Sequence, residues 1–241
     1  MDSLLALEDL SLSYPARVGH SAHRAVSGVS LTLRAGETLL VSGGAGAGKS
    51  TLARALSLRA DPKPAPRVSG GAARVLGAPL TGFGQRARRD ARTHIGYLAQ
   101  RDEALFATRT ITQGLAAVIL DHTPVLDHPA VGARIAELLD AVHLPLSVLD
   151  RFPSELSSGQ RRRIALAGEL AREPRLLILD EPTAGLDPTV RAVVSAAVAR
   201  TRAHGGGVVL VSNDDSLAAE LGAHTLVLER GTPVGWSAAR V

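Results

Sequence analysis

The sequence predicts an α/β fold on a mostly parallel sheet, interrupted by one block of helices. Three observations carry that prediction. Short apolar runs of β-formers, ETLLVS (37–42), LLILD (176–180), VVLVS (208–212) and HTLVLE (224–229), alternate with helical segments; strands separated by helices imply parallel pairing. Between residues 101 and 171 the alternation stops and only the helical period continues. Finally, 241 residues suffice for one large domain, or one domain carrying a subdomain.

Each element follows from its local pattern. Residues 4–13 and 27–33 run or alternate apolar as strands do, with the polar connection PARVGHSAHRA (15–25) between them. ETLLVSGG is a short buried strand entering a glycine loop, and a helix follows over 49–59. DPKPAPRVSGG (61–71) reads as a Pro/Gly loop. Strands are expected at 72–76 and 94–99, and helices at 111–120, 130–142 and 159–172. A helix over 188–203 and a short one over 216–221 separate the last strands. There is no internal repeat and no low-complexity segment.

Composition narrows the function classes. With no cysteine, disulfides, thiolate catalysis and Cys-ligated metals are excluded. Aromatics are 2%, too few for base-stacking platforms. The net charge is only +4 because 27 basic residues face 23 acidic ones, so a mixed-charge solvated surface is expected and no nucleic-acid partner. No apolar run approaches the roughly 18–20 residues that span a bilayer. The N-terminus lacks the basic region and cleavage site of a signal peptide, so a cytoplasmic protein is expected, with any membrane role coming through a partner. His20 and His23, in the polar connection, read as loop residues rather than a metal pair.

Two stretches carry phosphate chemistry. GGAGAGKST, residues 43–51, contains G-x-x-x-x-G-K-[ST] as Gly43, Gly48, Lys49 and Ser50. In such a loop the backbone N–H groups of Gly43, Gly44, Ala45, Gly46, Ala47 and Gly48 turn inward around phosphate oxygens. Lys49 reaches the β/γ-phosphates, the Ser50 hydroxyl coordinates Mg²⁺, and Thr51 continues the helix whose positive end faces the anion. The match lies between a strand and a helix, the context that separates this loop from an ordinary glycine turn. At the end of LLILDEP, Asp180 is placed to hold Mg²⁺ and Glu181 to orient and deprotonate an attacking water.

LSSGQ, with Ser157, Ser158, Gly159 and Gln160, precedes another helix and offers a second anion cradle with no lysine of its own. From ELSSGQRRRIALAGELAREPRLLILDEPTAGLD onward, the chain resembles the ATP-binding cassette ATPases over nearly its whole length. The resemblance implies a P-loop NTPase core with an N-terminal antiparallel β part. Residues 1–100 and 172–241 would form the nucleotide-binding core and 101–171 a helical subdomain. It further implies ATP and Mg²⁺ as ligands and a head-to-tail pair of cassettes, in which LSSGQ of one copy closes over ATP on the phosphate loop of the other. Tyr14 in LSLSYP matches the aromatic that stacks on adenine. Gln100 in HIGYLAQ matches the glutamine that meets Mg²⁺ or the water and senses the membrane partner. Asp187 in AGLD matches the loop crossing to the opposite site. Two positions depart from the pattern: Ser158 stands where glycine is usual, and Ala45 where serine is frequent. Arg161–Arg163 is read as a solvated face or ATP-proximal charge.

The family's usual histidine after the last core strand is Asn213 here. Asparagine donates a neutral N–H to the γ-phosphate but never becomes cationic. The expected loss is about 1–2 kcal/mol of transition-state stabilisation, slowing the reaction without abolishing it. No regulatory domain, second cassette or membrane helix follows the last strand, so a separate integral-membrane permease is expected, with this chain peripheral at the inner face of the membrane. The stretch 161–188 is similar to cassettes of energy-coupling-factor (cobalt/vitamin) importers, and FPSELSSGQ to those of dipeptide/nickel importers. Two other readings remain open: a hydrolysis-impaired partner in a heterodimer, and a soluble non-transport ATPase.

Overall fold

The computed structural model describes residues 3–16, 21–59, 65–82, 84–100, 108–183 and 188–238. A four-stranded antiparallel sheet is built from β1 (Ser3–Tyr14), β2 (His23–Arg34), β4 (Arg67–Val75) and β5 (Ala78–Pro79), in the order β2-β1-β4-β5. The second sheet has six strands: β3 (Thr38–Ser42), β6 (Ile95–Leu98), β7 (Leu176–Asp180), β8 (Gly207–Val211), β9 (His224–Glu229) and β10 (Thr232–Ser237). Their order is β10-β9-β3-β8-β7-β6, and every neighbouring pair is parallel except β9–β10.

The period of two sorts the second sheet's side chains cleanly. Leu40, Leu98, Leu177, Leu179, Val208 and Leu210 join one apolar cluster with helices α3 (Ile111–His122), α4 (His128–Ala141), α5 (Ser158–Leu170) and α6 (Pro188–Ala203). Their neighbours Leu39, Val41, Tyr97, Ile178, Val209 and Val211 join a second cluster with α1 (Lys49–Leu56) and the antiparallel sheet. Both faces are therefore covered, as a parallel sheet requires, and burying each such Leu contributes about 2–3 kcal/mol. α2 (Gln85–Thr93) and α7 (Asp215–Leu221) complete the helices. Among the described residues no helix is long and apolar enough to cross a membrane.

Several elements differ from the sequence expectation. β2 begins at His23, four residues early, because His23 and Arg24 pair with Tyr14 and Ser13 along an edge strand whose outer side needs no apolar residue. Arg67–Gly71, read as loop, belongs to β4. Gly71 has φ 68°, and a Cβ there would lie 2.1 Å from the Asp9 carbonyl oxygen, so the glycines mark a bulge against β1 rather than a turn. α1 stops at Leu56 instead of residue 59, and Leu58 takes φ 56°. α2 and β10 are additional.

Candidate active site

β3, β6, β7 and β8 are parallel and in register, with Val41 beside Val211, Asp180 beside Val211 and Leu98 beside Leu179. Their carboxyl ends share one edge, the usual place for ligands of an open α/β sheet. From β3 the chain enters the glycine loop. Gly43 (φ 143°) and Gly48 (φ 94°) admit no side chain, since a Cβ would lie 2.1 Å from the Leu228 carbonyl oxygen and 2.3 Å from that of Ala25. No side chain caps α1, so the first amides of Lys49, Ser50 and Thr51 remain directed at the loop's concavity. A cleft of about 180 Å³ opens there, lined by Tyr14, His23, Ala25, Gly46, Lys49 and Thr51 among others. Tyr14 and Thr51 share a hydroxyl–hydroxyl bond of 3.3 Å. His23 and Ala25 were missed by sequence reasoning because nothing in their own segment signals the contact; the β1–β2 pairing carries them there.

The polar groups of the strand ends converge on this loop. Lys49, 8% exposed, donates to the carbonyls of Gly43 (2.6 Å) and Gly44 (3.1 Å). Its ammonium is 3.9 Å from the Glu181 carboxylate. Glu181 reaches it from a left-handed backbone (φ 49°), fixed by its N–H donating to the Val211 carbonyl at 2.9 Å. That conformation costs a non-glycine residue about 1–2 kcal/mol, strain of the kind that persists at functional sites. Ser50 donates to Asp180 Oδ1 at 2.9 Å. Asp180 is buried, and burial pushes its carboxyl up; the Ser50 hydrogen bond opposes this, Glu181's charge adds to it, and Arg162 and Lys49 oppose it. Asn213 Oδ1 accepts from the Gly43 N–H at 3.1 Å and the Ser42 hydroxyl at 3.5 Å, tying the end of β8 to the start of the loop.

Gln100 follows β6 and is exposed. Its carbonyl accepts from Arg162 at 3.2 Å, which fixes its backbone rather than its side chain. The LSSGQ segment lies apart from this cluster. Ser157 caps α5, accepting from Gln160 N–H (3.2 Å), while Gln160 Oε1 accepts from Ser157 N–H (3.0 Å). Ser158 is the first helical residue, so its helical backbone needs no glycine, and Gly159 follows with open space around it. Among the described residues no hydrogen bond joins residues 157–160 to the phosphate loop. Asp187 lies outside the described residues.

A family model described as ABC transporter matches residues 26–184. The chain belongs to the ABC transporter family. The nickel import ATP-binding protein NikE of Brucella suis biovar 1 (strain 1330) is 32% identical over 234 residues, 95% of this chain and 85% of that protein. The methionine import ATP-binding protein MetN of Rhodospirillum rubrum is 32% identical over 232 residues, 96% of this chain and 63% of that one. Among solved structures, the dimeric post-hydrolysis ATP-binding cassette MJ0796, bound to ADP and Pi, has a TM-score of 0.85 at 22% identity. It covers 98% of this chain and 99% of its own, a likeness of fold. CbiO1 of Clostridium perfringens, part of the ABC transporter complex cbiONQ, has a TM-score of 0.78 at 25% identity over 98% and 89%. Similarity to a nickel import ATP-binding protein and to CbiO1 agrees with the importer-cassette resemblance of the sequence.

ABC cassettes are ATP-binding ATPases, and this cassette's residues fit both ligands. The glycine cradle and uncapped helix suit a polyphosphate. Ser50 and Asp180 supply two hard oxygens, one a desolvated carboxylate that gains from a cation. Among the described residues no three His, Cys, Asp or Glu cluster as a metal cage. Mg²⁺ at a nucleotide site ordinarily uses one or two protein oxygens beside phosphates and water.

Proposed function

We propose that this chain is the ATP-hydrolysing cassette of an ABC importer, working as one of two head-to-tail cassettes at the cytoplasmic face of a separate integral-membrane permease. The reading rests above all on the convergence of Lys49, Asp180, Glu181 and Asn213 on the phosphate loop at one sheet edge. The importer half draws on the relatives, whose names carry nickel and methionine import. Division into a nucleotide-binding core (1–100 and 172–241) and a helical subdomain (101–171), docked on the permease with the Gln100 segment, belongs to the same proposal.

In this mechanism Tyr14 stacks on adenine, and the loop amides with Lys49 hold the β- and γ-phosphates. Lys49 then exchanges the Gly43 and Gly44 carbonyls for phosphate oxygens. Ser50 and Asp180, with Gln100, would hold Mg²⁺, which would neutralise phosphate charge. Glu181 orients a water in line with the γ-phosphorus and takes its proton as the bond to the β–γ bridging oxygen breaks. Asn213, its Oδ1 engaged by Gly43, turns its amide N–H toward the γ-phosphate. Ser157, Ser158, Gly159 and Gln160 of the other copy close over the ATP, with Asp187 at the crossing loop.

The test is steady-state Mg-ATP turnover of the purified chain against its own concentration, with Glu181→Gln as the blank. Turnover that rises with concentration and vanishes in the variant is expected. Turnover independent of concentration, or equal in the variant, overturns the proposal. One observation favours a second reading. Asn213 cannot carry charge, so a chain that binds ATP without turnover above the blank would be the ATP-holding member of a heterodimer. Co-purification with an integral-membrane protein separates both from a soluble ATPase.

A further inference from the structure

Arg162 lies on α5, five residues beyond the capping Ser157, or about 7 Å along the helix. Its guanidinium reaches four backbone carbonyls at the ends of two adjacent strands. One amino group donates to Ala99 and Gln100 (3.2 Å), just past β6, and the other to Asp180 (2.8 Å) and Glu181 (3.3 Å), at the end of β7. A planar fork of five donors serves carbonyls from both strands with pre-set geometry, whereas an ammonium offers three donors from a single point and an amide one NH₂.

The rest of α5 is held rigidly. Residues 164–170 are buried in the helical cluster. Glu169, 1% exposed, accepts from Arg59 at 2.8 and 2.9 Å and from the Tyr97 N–H at 3.1 Å. The helix is thus bonded to β6 through Glu169 and to the chain just past β6 and β7 through Arg162.

We propose that Arg162 is a positioning residue that couples the two ATP sites of a cassette pair. The proposal rests on the head-to-tail reading, in which residues 157–160 meet the ATP of the other copy. Closure on that ATP shifts the first turn of α5, and Arg162 carries the shift to the backbone of this copy's own Glu181 and Gln100. ATP binding at one site thereby sets the hydrolytic geometry of the other.

The experiment measures kcat, KM and the Hill coefficient for Mg-ATP, ATP affinity and Tm for the full chain and for Arg162→Ala, Arg162→Gln and Arg162→Lys. Removing the fork is expected to lower kcat roughly ten- to a hundredfold, as a misplaced catalytic group does. The Hill coefficient should fall toward one, ATP affinity should stay within about twofold, and Arg162→Lys should recover part of kcat. A variant series with unchanged kcat and Hill coefficient overturns the role of Arg162. So does a series in which kcat, affinity and Tm fall together and Arg162→Lys rescues nothing, the pattern of simple misfolding. A parent chain whose turnover ignores its own concentration fails differently: it overturns the pair, and the coupling with it.

Discussion

Replacing Asn213 by histidine should speed the enzyme. In the structure the Asn213 carbonyl oxygen is occupied by Gly43 N–H and the Ser42 hydroxyl, which leaves its neutral NH₂ group as the donor for the γ-phosphate. A hydrogen bond involving a charged donor contributes about 1.5–3 kcal/mol and a neutral one about 0.5–1.5. Their difference, about 1–2 kcal/mol, corresponds to a five- to thirtyfold gain in kcat when it acts only in the transition state. An imidazolium donates from both nitrogens and cannot accept from the Gly43 N–H, so that loop contact is lost, KM for ATP should rise modestly, and the gain in kcat is read at saturating Mg-ATP. Asn213→Ala separates the two duties, because losing the loop contact raises KM while losing the donor lowers kcat. The assay is steady-state phosphate release at saturating Mg-ATP, with ATP affinity measured in the Glu181→Gln background. An Asn213→His chain that is saturated with Mg-ATP and turns over no faster than its parent would refute the idea that this position limits the chemistry.

Three further outcomes follow from single contacts. Tyr14→Ala should raise KM for ATP about two- to tenfold, the worth of one aromatic stack, with kcat unchanged, and Tyr14→Phe should stay near the parent despite losing the Thr51 bond. Glu169→Ala removes the buried carboxylate that accepts from the partly exposed Arg59 guanidinium and from the Tyr97 N–H, and should cost about 1.5–3 kcal/mol of stability, read as a lower urea midpoint. Asp214 caps α7 and pairs with Arg191 at 2.8 Å; the Ser216 hydroxyl first, then backbone N–H groups and Arg191, hold its carboxyl below the usual 3.8 despite some burial. A depressed carboxyl stabilises the fold above its unfolded pKa and loses that contribution as pH falls through the folded value. Asp214→Asn, which keeps a capping side chain, should therefore lower Tm slightly at pH 7, by less than about 1 kcal/mol equivalent, and the difference should shrink as pH falls below 3.8 and vanish once the folded carboxyl is protonated.

What the sequence disclosed follows from where each signal resides. Strands β3, β7 and β8 announce themselves because burial on both faces demands unbroken apolar runs, and the phosphate loop because backbone geometry demands glycine at Gly43 and Gly48. α2 was illegible because QRARRDART buries little beyond Ala91 and has no apolar stripe. β10 was illegible because an edge strand with Val234 and Trp236 exposed carries no alternation toward a core. In the site, Glu181 and Asn213 could be placed at strand ends, but not Asn213's hold on Gly43, which joins residues 170 apart. For the same reason the sequence leaves Arg161–Arg163 as either a solvated face or ATP-proximal charge and does not disclose the Arg162 fork. Its acceptors are main-chain carbonyls, which leave no residue-type mark in the sequence.

The donor accounting of α5 explains why a second copy suits the site. A helix begins with four N–H groups lacking intrahelical acceptors. In α5 the Arg161 N–H is taken by the Ser157 carbonyl and the Gln160 N–H by the Ser157 hydroxyl, while the Gln160 side chain turns back to the Ser157 N–H. The N–H groups of Ser158 and Gly159 have no acceptor among the described residues, and both sit at the positive end of a thirteen-residue helix. Across the fold, by contrast, Lys49, Ser50 and Asn213 are already bonded to one another's strand ends. Among the described residues no hydrogen bond joins the Ser158 and Gly159 N–H groups to the phosphate loop. In the proposed head-to-tail pair, these two donors of each copy would face the ATP of the other. In that proposed pair, the helix whose first turn would meet one nucleotide is the helix that carries Arg162 to the strand ends of the other site.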